Sequence, residues 1–203
     1  MRVLYKKVSQ QRPLYLHTQE RRNLRINSIT RSSNLKFKAQ LCHNCNTKLT
    51  APYDRAWERL SKYLQNCSGL KKGRVVKISN IFPGCIKQEM LNVHLYFVKL
   101  FGCAIKEFNI PLDIAPFQQA ILNGEAHPKV KIAVGANGSM ATGSSDLQLV
   151  RSFNGKSVFA TWFYVVGNIA VNIMYAEPTE QRLGLVGAWH PSTISKRLTL
   201  VGY

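Results

Sequence analysis

The chain has 203 residues, 45% of them hydrophobic, and a formal net charge of +18 at pH 7. That length allows one hydrophobic core, or one core with a small appendage. No apolar run approaches the roughly eighteen residues a membrane-spanning helix needs, so no span is expected.

The charge is uneven. Residues 1–80 hold 18 Lys and Arg against 3 Asp and Glu, a net of +15, whereas residues 81–203 hold 10 against 7, a net of +3. Such a basic module is the electrostatic footprint of a polyanionic partner. Nucleic acid is expected before an anionic membrane surface, because the cations do not lie opposite a long apolar helix face. The basic N-terminus lacks an apolar continuation, since Tyr5-Lys6-Lys7-Val8-Ser9-Gln10-Gln11-Arg12 interrupts it, and a secretory signal is not expected. Five cysteines, an odd number, then point to a reducing compartment and a cytoplasmic location.

In chain order, residues 1–35 are arginine-rich and weakly periodic, either a solvated arm or an ordered substrate contact. Alternation over Leu35–Leu41 predicts a short strand leading into Cys42. A helix follows, with Thr50 as N-cap, Pro52 in the first turn and Asp54 complementing the dipole. Tyr53, Ala56, Trp57, Leu60 and Leu64 form its apolar stripe, Arg55, Arg59 and Lys62 its polar face, and it ends before Cys67-Ser68-Gly69. A basic connector, Lys71-Lys72-Gly73-Arg74, leads to a strand at Val75–Ile78.

Residues 86–101 are apolar on most sides and predict a buried helix stopped by Gly102; a shorter helix is expected from Pro116 to Leu122. Strands are expected at Val130–Val134, Leu147–Phe153, Ser157–Val166, Ile169–Tyr175 and Ile194–Val201, with Asn154-Gly155 and Gly167-Asn168 as turns. Gly135–Ser145 reads as a flexible loop without the Gly-Lys-Ser/Thr ending of a phosphate-binding loop. The expected fold is α+β: a small basic module over 1–80, and a helix and antiparallel-sheet domain over 81–203.

Cys42 and Cys45 form the one Cys-x-x-Cys pair. Two thiolates at this spacing supply half of a tetrahedral zinc site, with Cys67 a candidate third ligand. The pair also admits a redox reading or plain thiols, and all three stay open. Cys67, Cys85 and Cys103 otherwise read as small hydrophobes. His94 reads as a core or interface histidine, His127 as a loop residue, and His190 as a minor ligand candidate in Trp189-His190-Pro191. Trp57, Trp162, Phe163 and Tyr164 are expected in the core.

The run Asn34-Leu35 through Leu41-Cys42-His43-Asn44-Cys45-Asn46-Thr47-Lys48 resembles the second half of the zinc-clasped HNH endonuclease motif. The following Thr50-Ala51-Pro52-Tyr53-Asp54-Arg55-Ala56-Trp57-Glu58 is similar to a helix that follows the clasp in a bacterial and phage group of HNH-associated proteins. Asn92–Cys103 and Gly187–Pro191 are similar to that group's C-terminal region, so the likeness spans most of residues 34–203.

The resemblance implies a ββα-metal module. Cys42 and Cys45 would be half of a structural zinc clasp, Asn34 the bracing asparagine, and Asn46 a ligand to a catalytic divalent ion such as magnesium. His17 would be the general base of phosphodiester hydrolysis. Arg21, Arg22, Arg25, Arg31, Lys36, Lys38 and Lys48 would contact the phosphates of the partner, with DNA the expected nucleic acid. The chain departs from the motif in having no upstream Cys-x-x-Cys and no acidic residue before His17, which follows Leu16. A non-catalytic nucleic-acid binder with a degenerate site and a structural or assembly protein are the alternatives.

Overall fold

A computed structural model describes residues 14–16, 24–26, 42–138, 142–193 and 196–203. Within the first 41 residues it describes two short antiparallel strands, β1 (Leu14–Leu16) and β2 (Leu24–Ile26), which place Arg25 opposite Tyr15. The expected strand at 35–41 lies outside the described residues.

The first long helix, α1 (Ala51–Asn66), forms where the sequence predicts it and buries Tyr53, Ala56, Trp57, Leu60 and Leu64. Thr50 occupies the N-cap position, but its hydroxyl makes no capping bond; it donates to the Asn46 carbonyl (3.3 Å) instead. After β3 (Val75–Lys77) comes the central helix α2 (Ile86–Glu107), all but encased over residues 92–105.

Gly102 does not stop α2, as the sequence suggests, but lies within it. A Cβ there would stand 3.4 Å from Ile114 Cδ1 and 3.7 Å from Phe117 Cβ. The start of α3 (Ala115–Asn123) packs over it at distances where a Cβ would make ordinary contact, so this approach does not require glycine, whose helix penalty is roughly 1 kcal/mol. The helix ends at Phe108, and Asn109 turns the chain at φ 49°.

The main sheet runs in the order β10-β4-β8-β7-β5, with β6 also paired to β7. Its strands are β4 (Val130–Ala136), β5 (Thr142–Ser144), β6 (Gln148–Arg151), β7 (Ser157–Val166), β8 (Ile169–Ala176) and β10 (Val201–Gly202). All these pairings are antiparallel except β10 with β4. Gly155 (φ 79°) and Gly167 (φ 58°) make the two expected turns.

The stretch expected as a loop over 135–145 instead completes β4 and supplies β5. The expected strand over 194–201 is two strands: β9 (Arg197–Thr199) pairs with β3, while β10 returns to β4. The chain is α+β. β8 is buried along its whole length, between the helices on one face and Leu185, Ala188 and Val201 on the other. Residues on both sides of the expected boundary at 80 share the principal core, in which Trp57 stacks on Tyr96 and meets Phe97 edge-on.

Candidate functional site

Chain that turns helical at His43 brings the two thiols of Cys42 and Cys45 onto one turn. The Cys45 N–H donates to Cys42 Sγ (3.1 Å), and the Asn46 N–H to the Cys42 carbonyl (2.9 Å). The turn then widens over Cys45–Leu49 and closes with Thr50 N–H on the Cys45 carbonyl (3.0 Å). Donation by the Cys45 thiol and N–H pulls the Cys42 thiol below its ordinary range, and the same thiol–thiol bond raises Cys45. Cys42 is exposed and Cys45 half-buried. The thiol–thiol bond makes Cys42 the more acidic of the two, which suits the capture of a soft divalent cation or nucleophilic chemistry at Cys42.

Two thiols on one turn could supply at most half of a tetrahedral thiolate site. Among the described residues no third His, Cys, Asp or Glu completes a metal-holding group. Cys67 is not the missing ligand: it caps the opposite end of the 16-residue α1, about 24 Å along the helix axis from the Cys45 end. Asn46 and Lys48 are exposed on the same turn. His17, Asn34, Arg21, Arg22, Arg31, Lys36 and Lys38 lie outside the described residues, and Arg25 is placed as a backbone position in β2.

The turn is tied to the core by Lys99, a residue the sequence reading passed over. Its ammonium is buried, 2.5 Å from Asp54 Oδ1 and 3.1 Å from Thr50 Oγ1. The Thr50 hydroxyl passes the link on to the Asn46 carbonyl. Lys99 is the single charged residue between Met90 and Ile105, and that was the available signal, since a buried cation requires a partner.

A second cluster gathers His94, His127 and His190. The His127 N–H donates to His94 Nε2 (3.2 Å), and the Lys129 N–H to His127 Nδ1 (3.2 Å). The Ser192 N–H donates to His190 Nδ1 (3.2 Å), so His190 Nε2–H donates to the His127 carbonyl (3.2 Å). These bonds fix the tautomers, with protons on His94 Nδ1 and His127 Nε2, both buried without a protein partner. Burial lowers His94 well below the usual histidine range, His127 to about 4, and His190 in the same direction. All three are therefore neutral at pH 7.

His127, expected as a loop residue, is 1% exposed and lies with its ring 4.2 Å from that of Phe117. His94 is a core residue, as read. Trp57 and Trp162 are fully buried, and Phe163 and Tyr164 partly so. The three rings interlock α2 with the chain entering β4 and with the Trp189-His190 segment, whose backbone bridges to Ile132.

No family model, curated protein or solved structure matches this chain. No helix among the described residues is long and apolar enough to cross a membrane.

Proposed function

We propose that the protein binds nucleic acid, with DNA as its first candidate, through the basic residues 1–80, in the manner of an HNH-endonuclease-like protein. The observation that carries this reading is the segregation of charge, +15 over residues 1–80 against +3 over the remainder. Phosphates condense on such a surface because cations displace the polymer's own counterions. The Cys42–Asn46 turn supports it: two adjacent thiols, Cys42 the more acidic, are presented beside Lys48 on a turn anchored to the core. Zinc held there would be structural. Hydrolysis of the phosphodiester by a divalent ion rests on the resemblance, with His17 as base and Asn34 and Asn46 in the motif's other positions.

The test is a titration of labelled duplex by the full chain over a salt series, paired with supercoiled plasmid incubated with magnesium, manganese or nickel. Steeply salt-dependent binding, with nicking lost in His17→Ala, supports the nuclease. Binding with the plasmid left intact supports a non-catalytic binder. Absence of binding at low salt removes the nucleic-acid reading and leaves the assembly role.

A further inference from the structure

Disulfide exchange needs one accessible sulfur to attack, a second held close enough to resolve the adduct, and a bond that reopens. Cys42 and Cys45 are both free thiols. Cys42 is exposed and stands just ahead of the first helical residue, His43, where an incoming reagent reaches it. The Cys45 N–H points at its sulfur (3.1 Å), a donor for the charge that sulfur carries while attacking or leaving.

Cys45 is half-buried, and its backbone is held. Its carbonyl accepts from the Thr50 N–H (3.0 Å), and the Asn46 carbonyl accepts from the Thr50 hydroxyl (3.3 Å), which Lys99 Nζ approaches in turn (3.1 Å). A fixed thiol three residues on acts at high local concentration against any adduct on Cys42. The Asn46 N–H bond to the Cys42 carbonyl (2.9 Å) makes 42–46 one helical turn. Residues three apart on such a turn hold their Cβ atoms about 5–6 Å apart, whereas a disulfide needs about 3.5–4.5 Å. Closing the bond therefore tightens the turn against the anchored Cys45. A bond closed against that resistance is readily reduced, as in exchanging rather than structural disulfides.

We propose that Cys42 and Cys45 form a reversible dithiol–disulfide site whose co-reactants are low-molecular-weight disulfides and thiols of the glutathione class. Cys42 Sγ, as thiolate, attacks one sulfur of the incoming disulfide; that S–S bond breaks, and the first small thiol leaves and takes up a proton. Cys45 Sγ then gives up its proton, attacks Cys42 Sγ and displaces the second small thiol. The pair loses two electrons and two protons, and the reagent disulfide becomes two thiols; excess small thiol drives the same steps backward. The site does not depend on the nucleic-acid reading. It uses the sulfurs that would hold zinc, so the oxidised pair and a bound metal exclude each other.

The test treats the full reduced chain, with a metal chelator present, with submillimolar oxidised glutathione, then acid-quenches and maps the cysteines by mass spectrometry. A Cys42–Cys45 disulfide is expected as the main product, returning to two thiols on addition of excess reduced glutathione. The glutathione adduct on wild-type Cys42 should stay at least about tenfold below its level in Cys45→Ser, because the neighbouring thiol acts at an effective concentration of millimolar order. Cys85→Ser, which removes an exposed thiol elsewhere, leaves the yield unchanged.

Should Cys45→Ser lose its fold by circular dichroism, the wild-type time course decides, and the Cys42 adduct must rise and then decay into the disulfide. An adduct that persists on wild-type Cys42 overturns the proposal. So does a disulfide joining either cysteine to Cys67 or Cys85 in place of this pair, or a Cys42–Cys45 bond that reduced glutathione fails to open. Zinc uptake by the reduced chain and binding of duplex are separate measurements, and their failure removes the clasp or the nucleic-acid reading while this site stands.

Discussion

Lys99 Nζ lies 2.5 Å from Asp54 Oδ1, and this contact couples the central helix to the start of the helix that carries the Cys-x-x-Cys turn. The lysine side chain is 6% exposed and the aspartate 31%. Replacing Lys99 with Met leaves the carboxylate without its cation and the Thr50 hydroxyl without its donor. Loss of a buried partner costs about 3–5 kcal/mol, and the partial hydration of Asp54 reduces this to about 2 kcal/mol. Urea denaturation measures it, and a double-mutant cycle with Asp54→Asn isolates the coupling. A coupling near zero would show that the contact contributes packing alone.

The two thiols of the turn are expected to react unequally. Cys42 is exposed and its thiol is lowered by the bond from Cys45, the same bond raises Cys45, and burial raises Cys103. Limited iodoacetamide treatment at neutral pH with peptide mapping should modify Cys42 well before Cys45, and Cys103 last. Cys45→Ala removes the thiol donor and should slow Cys42 alkylation by about two- to tenfold. Added zinc is expected to protect Cys42 and Cys45 together, and a chelator to restore their reaction. Equal reactivity of the two thiols, unaffected by zinc, would withdraw the clasp.

The buried histidines set an acid limit on stability. Their folded-state pKa values are depressed, so the unfolded chain binds protons first as pH falls. Stability is complete above the unfolded value of about 6.5 and is lost on descending toward the folded value. For His127, lowered to about 4, the loss across that window is about 3 kcal/mol, and His94 adds to it in the same direction. Lys129 and Lys131 beside His127 and His190 oppose protonation further. Glu177 is held below the ordinary carboxylate value, chiefly by its hydrogen bond from Lys129, so its own contribution fails only below about pH 4.5. Urea midpoints at stepped pH values should therefore fall steadily between 6.5 and 4.5. A flat profile there would mean that the cluster is solvated.

The sequence made the helical elements legible through local periodicity. The stripe Tyr53, Ala56, Trp57, Leu60 and Leu64 needs no distant partner to be recognised, and it buries as expected. The β7–β8 hairpin is equally local, with strong strands on either side of Gly167. What escaped reading depends on distant contacts. Gly102 has the identity of a helix stop, but it lies under Ile114 and Phe117 and the helix continues through it to Glu107. The partner of β3 lies at residues 197–199, and no pattern within either segment announces that pairing. Likewise, the histidines at 94, 127 and 190 become one cluster because α2 passes beneath the entry to β4. At the candidate site the motif marked Cys42, Cys45 and Asn46, while Lys99, which anchors their turn, is 45 residues away from Asp54 in sequence.

Two glycines provide a final contrast, since identical substitutions should have different effects. At Gly102 an added Cβ makes ordinary contacts with side-chain atoms, at 3.4 Å and beyond. Alanine there should be close to neutral or stabilising by up to about 1 kcal/mol, because it restores helix propensity. At Gly135 the same Cβ would meet the Val201 carbonyl at 2.7 Å and the Tyr203 ring at 2.6 Å. The backbone of β10 must then retreat from β4, an overpacking cost of about 1–3 kcal/mol. Thermal melting of Gly102→Ala and Gly135→Ala tests the pair, and hydrogen exchange at Val201 and Tyr203 reports whether the terminal strand has detached. Equal melting temperatures with unchanged exchange would show that β10 is not seated against Gly135.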